Sequence, residues 1–147
     1  MNYGQYEVAL HEAGHLVVHA KVGRGCANRV WIGQDSGRID QSDWSLLEGR
    51  ESGLVIMAAA GPAIELIRGR DLNRCSSDIA VLRCHLPHYS DERWMAVYER
   101  VQSFLERKWS TVEFTAGFLL QNANKQGNIG KRACRHLFRE IRARMTS

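Results

Sequence analysis

Tyr3, Tyr6, Val8, Ala9, Leu10, Leu16, Val17, Val18 and Ala20 crowd the start of the chain, and no proline interrupts residues 3 to 22. Apolar side chains this dense predict a helix with enough hydrophobic surface to be buried. Asn2 followed by Gln5 is an N-cap pair for it, and Gly23 and Gly25 are its stopping place. Gly14 runs against the pattern, because an interior glycine costs about 1 kcal/mol against alanine. Its presence predicts the close approach of another backbone.

The pattern then changes period. Arg29-Val30-Trp31-Ile32-Gly33 and Gly37-Arg38-Ile39-Asp40 read as two short strands joined by the turn-rich Gln34-Asp35-Ser36, a small β-hairpin. From about residue 45 to Arg68 the chain reads as mainly helical and ends at Gly69, with Gly61-Pro62 expected to break or kink the run. A helix entered through a serine cap follows at Cys75-Ser76-Ser77-Asp78 and stops before Pro87. Ser90 opens another, through about Lys108. Ser110-Thr111-Val112-Glu113 has the form of a capping box, with Trp109 and Phe114 as its hydrophobic staple, for a helix ending near Asn124. Ile129, Ala133, Leu137, Ile141 and Met145 recur every four residues and predict a last amphipathic helix. The fold class is therefore mainly α with one small hairpin.

Length and composition narrow this further. A chain of 147 residues, 44% hydrophobic and 24% charged, fits one globular domain able to bury a core. The longest apolar stretch, Leu54 to Ile67, contains Gly61, Pro62 and Glu65 and falls short of the roughly 20 residues a membrane span needs. No basic-then-apolar leader opens the sequence, so the expected compartment is the cytoplasm. Cys26, Cys75, Cys84 and Cys134 form no C-x-x-C pair and are expected to be reduced and mostly buried. Net charge is +4, and the excess gathers at Lys131, Arg132, Arg135, Arg139, Arg142 and Arg144. With no aromatic stacking set or recognised module beside them, these read as a solvated helix face rather than a nucleic-acid site. Gly130-Lys131 is not part of a Walker A sequence, since Lys125 stands where that motif needs glycine.

The candidate chemistry lies in the first helix. His11-Glu12-Ala13-Gly14-His15 is an H-E-x-x-H signature. Residues four apart share one helix face, so both imidazoles can converge on one ion. Zinc held by three protein donors keeps a position for water and brings the pKa of that water to about 7. Glu12, one residue after the first ligand, is placed to take the water's proton and deliver it to a leaving amine. A third donor must come from elsewhere, and Glu65, Asp78, His85, His88 and His19 are the candidates. His19 is the weakest, because on a straight helix four further residues place it about 6 Å along the axis from His15. It reads as a surface histidine or one behind the ligands.

Three segments, His11-Glu12-Ala13-Gly14-His15, Ala60-Gly61-Pro62-Ala63-Ile64-Glu65 and Ser76-Ser77-Asp78-Ile79-Ala80, resemble in order and approximate spacing the peptidase domain of FtsH, the bacterial AAA+ zinc protease. The resemblance implies a zincin-like helical domain over residues 1–147, with a zinc-site core and hairpin in 1–90 and C-terminal helices in 91–147. It makes Asp78 the third ligand with His11 and His15, and sets Glu65 behind them to orient a ligating histidine. It gives the hairpin the place of a strand that binds extended substrate by main-chain hydrogen bonds; a hairpin that merely covers the core is the equal alternative. Pro62 departs from the family, which usually has a basic residue there. FtsH proteins also have membrane anchors and an ATPase module, whereas these residues hold neither a membrane-length apolar run nor a Walker A motif.

The expectation is a zinc-dependent endopeptidase that hydrolyses peptide bonds in flexible or unfolded proteins without ATP in this chain. A separate ATPase partner and self-association into a homo-oligomer belong to the same resemblance. The alternatives are a regulatory protease cutting one specific partner and a catalytically silent zinc-binding adaptor.

Overall fold

The computed structural model describes residues 4–40 and 51–146, the side chains of residues 51–56, Arg74 and His85 apart. Within them the chain is mainly helical: α1 (Gln5–Val22), β1 (Arg29–Ile32), β2 (Gly37–Asp40), α2 (Glu51–Ile67), a 3₁₀ turn (Asn73–Cys75), α3 (Ser76–His85), α4 (Asp91–Arg107), α5 (Trp109–Asn122), β3 (Asn128–Ile129) and α6 (Lys131–Met145). None of these helices is long and apolar enough to cross a membrane.

α1 is the axis of the molecule, buried without interruption from Val8 to Ala20. An α-helix apolar on all sides must be surrounded, and α2, α5, α6 and the sheet pack around this one. Its N-cap position is Gly4, with no side-chain cap; the expected cap residue Asn2 lies outside the described residues. Gly23 ends the helix as anticipated.

The strands form an antiparallel sheet in the order β2-β1-β3. Val30 faces Ile39 on one side and Ile129 on the other. Ile129 is therefore a strand residue, not the first of the last helix as its four-residue spacing suggested; Gly130 separates it from α6. Because β3 completes a sheet begun by the hairpin, the two halves of the chain share one hydrophobic cluster. β2 is an edge strand, and its outer side pairs with nothing among the described residues.

α2 runs unbroken from Glu51 to Ile67 with Pro62 inside it, contrary to the break expected there; the expected start near residue 45 lies outside the described residues. Proline removes one helical hydrogen bond, a loss of about 3 kcal/mol. Burial of Ala58, Ala59, Ala60, Ala63 and Ile64 on both sides of it holds the helix together. Gly69 (φ +70°) closes α2, with the Gly69 amide donating to the Leu66 carbonyl and the Arg70 amide to that of Glu65. Beyond it, Glu7 of α1 accepts two bonds from Arg68, at 2.6 and 3.1 Å, and so ties the end of α2 to the start of α1.

Two predicted caps are not made. Ser76 is already helical, because the 3₁₀ turn leads straight into α3, and Cys75 takes the cap position. Ser110 lies inside α5: the Lys108 carbonyl accepts from both Thr111 and Val112 and starts that helix two residues earlier than a capping box would. Ser90 does cap α4, its hydroxyl accepting from the Arg93 amide.

Gly14 faces α2. A Cβ there would lie 2.5 Å from Ile64 Cγ1 and 3.5 Å from the Ala60 carbonyl oxygen, so an Ile64 side chain, more than a bare backbone, claims the space. Gly14→Ala should lower stability in urea denaturation by roughly 1–3 kcal/mol in spite of its better helix propensity. Combined with Ile64→Ala, which removes the clashing atoms, it should cost less than the sum of the single changes; strict additivity would show that the two residues do not compete for space.

Candidate metal centre

α1 and α2 run antiparallel at this crossing, with Glu7 beside Arg68, His11 beside Glu65 and His15 beside Met57. Met57, Gly61 and Glu65 are each four apart and so line one stripe of α2, the helical neighbour rule applied twice. That stripe faces His11 and His15. The short link after Gly69 then returns the chain, so that the first turn of α3 brings Asp78 onto the same spot.

Asp78 Oδ2 lies 3.2 Å from His11 Nε2 and 3.3 Å from His15 Nε2. His11, His15 and Asp78 each offer one ligand atom to a group that could hold a metal ion, with all three atoms within 4.8 Å of one another. Ligands about 2.0–2.1 Å from a tetrahedral ion sit roughly 3.3–3.4 Å apart, so the two separations from Asp78 are close to the edge of such a polyhedron. Gly61 supplies the room. A Cβ there would collide with Asp78 Oδ2 and lie 2.7 Å from His11 Nε2.

The other ring nitrogens are held from behind. His11 Nδ1 donates to Glu65 Oε1 at 3.1 Å, and His15 Nδ1 donates to the Met57 carbonyl at 2.8 Å. With Nδ1 carrying the proton, each Nε2 presents a lone pair to the centre, the arrangement in which histidine ligates. Glu65 is 2% exposed and sits behind His11 rather than at the centre. His88 is exposed, and the side chain of His85 lies outside the described residues.

His19 corrects an expectation. It is neither at the surface nor behind the ligands: its Nε2 is 3.2 Å from the Arg24 carbonyl and its ring meets Phe138 edge-on, in the core. Burial lowers its pKa. The four thiols are unpaired, with Cys75 and Cys134 buried, Cys26 half-buried and Cys84 exposed. Burial, together with the charges of Asp78 and Glu65, pushes the Cys75 thiol up to about 12, which keeps it protonated beside the centre.

The charges at the centre are strongly coupled. Burial works against a protonated His11, but the hydrogen bonds it donates to Asp78 and Glu65 outweigh it and carry the imidazole to about 10. Burial likewise opposes the charge of Asp78, and both histidines overcome it, holding the carboxyl far below the usual carboxylate range. The donors thus favour positive charge among them, which a divalent cation could supply in place of protons. Glu12, 7% exposed, is pushed upward by burial and drawn back down by the two imidazoles. A Cβ on Gly37, at the start of β2, would lie 2.9 Å from Glu12 Cγ, so the edge strand begins beside this carboxylate.

No protein-family model matches the chain, and no curated protein matches it either. Geometry alone therefore carries the site. It brings His11, His15 and Asp78 together and places Glu65 behind His11. Gly61 and the Met57 carbonyl were missed, although the spacing of 61 and 65 put that glycine on the same stripe as Glu65.

Gly61→Ala should leave the chain folded but weaken metal binding severely in calorimetric titration, because its methyl occupies the space of the ligand atoms. Glu65→Gln should weaken binding about 10–100-fold. Wild-type affinity in Gly61→Ala would place the metal elsewhere.

Proposed function

We propose that the protein is a zinc-dependent endopeptidase of the cytoplasm, resembling the FtsH peptidase domain, with His11, His15 and Asp78 as zinc ligands and Glu12 as the acid-base group. The single observation that carries this reading is the meeting of Asp78 Oδ2 with both Nε2 atoms at 3.2 and 3.3 Å beside the Glu12 carboxylate. Two nitrogens and one carboxylate oxygen suit zinc, and three protein ligands leave one coordination position open.

Zinc bound there supplies an acidified water at neutral pH and a Lewis acid for the substrate carbonyl. The remaining work belongs to the chain. Glu12, with its proton affinity raised by burial, takes a proton from the attacking water and returns it to the leaving amine. Glu65 and the Met57 carbonyl fix the ring planes of His11 and His15. An extended peptide added to the outer edge of β2 would run past Glu12, held by main-chain bonds indifferent to its side chains. Such an edge admits only segments without structure of their own, which makes flexible or unfolded protein the substrate, reached unaided or delivered by a separate ATPase.

Glu12→Gln should retain stoichiometric zinc while cleavage of unfolded casein falls by at least about 100-fold. Asp78→Ala should lose both zinc and cleavage. Full activity in Glu12→Gln would remove this mechanism, and stoichiometric zinc in the wild type without cleavage of any unfolded protein would remove the enzyme.

A further inference from the structure

α6 has two faces of very different character. Cys134, Leu137, Phe138 and Ile141 are buried in the core, while Lys131, Arg132, Arg135, His136, Arg139 and Arg144 are exposed. Glu140 is the only acid in the helix. Elsewhere in the fold an arginine that ties two helices together is paired with a carboxylate, Arg68 with Glu7. Among the described residues no ion pair engages Lys131, Arg132, Arg135 or Arg139.

Arg132, Arg135 and Arg139 share one face and span about 10 Å along the axis at 1.5 Å per residue. Phosphates of one strand advance about 3.4 Å per nucleotide along a duplex axis, so a span of that length offers enough of them for each of the three guanidiniums to meet one. The basic surface continues across the neighbouring helix: Arg142 reaches the Ala20 carbonyl at the end of α1, where Lys21 and Arg24 are exposed.

Against the expectation from sequence of a merely solvated face, we propose that the outer face of α6 docks the phosphodiester backbone of nucleic acid without regard to sequence. The basic residues of α6 are arginines, Lys131 apart, and the guanidinium fork suits phosphate. An acidic protein partner fits less well, because this face exposes no large apolar anchor of the kind that dominates protein interfaces. A bilayer fits less well too, since the apolar side of the helix is committed to the core and cannot insert. With no base-reading group required, the contact positions the protein rather than specifying a site. The proposal is independent of the metal centre and of its activity.

Fluorescence anisotropy of the full chain with a short labelled DNA duplex tests it. Binding should weaken with salt, with a log–log slope of about −3 for three phosphates. R135E/R139E should bind at least about tenfold more weakly, with zinc content and melting temperature unchanged. R100E/R107E, exposed arginines on α4, lowers the net charge equally and should bind like the wild type. Should charge reversal unfold the helix, R135Q/R139Q gives the same comparison with a smaller loss. The proposal is overturned by absence of salt-dependent binding, by equal losses in the α6 and α4 variants, or by tighter binding to phosphatidylserine vesicles or polyglutamate than to the duplex.

Discussion

Two helices can share one small centre only if their backbones come close, and α1 and α2 do so because Gly14 and Gly61 carry no side chain where the helices cross. Gly14 leaves space that Ile64 fills, and Gly61 leaves space beside His11 and Asp78. Ala60 and Ala63, both buried, keep the same side of α2 small. Interiors packed at crystal density have no slack for an extra methyl at such a crossing. The ligand geometry, the hydrogen bonds behind the histidines and the position of Asp78 all follow from it.

The same crossing explains how the chain tolerates several ionisable groups in one buried place. An isolated buried charge is costly, and the cost falls only when partners are fixed within hydrogen-bond reach. Glu65, His11, Asp78 and His15 form such a chain, each touching the next at 3.1 to 3.3 Å. Glu12 adjoins the chain and senses it through charge. A group of this kind adds little to stability compared with an apolar core of equal volume, so its presence points to chemistry.

Much of the centre was legible because helical spacing is local. His11 and His15, four apart, had to share a face, and Asp78 in the first turn of a later helix was reachable by resemblance. What sequence could not convey came from long-range packing. Pro62 looked like a helix breaker, yet the burial around it keeps α2 continuous. Ser110 had the pattern of a cap, but the chain turns directly from α4 into α5 at Lys108 and leaves that hydroxyl inside the helix. Ile129 fitted a four-residue period and was claimed by β1. His19 continued the histidine stripe, but the helix had turned far enough to aim it at Phe138. The Met57 carbonyl is backbone, and no side-chain pattern announces it.

The central claim is that a turn of α1 and the first turn of α3 close on one divalent ion against Gly61 of α2. Anomalous diffraction at the zinc edge from crystals of the zinc-loaded protein addresses it directly. The account predicts one ion about 2.0–2.2 Å from His11 Nε2, His15 Nε2 and an Asp78 oxygen. An ion bound elsewhere, or one held by both histidines with Asp78 turned away, would contradict it.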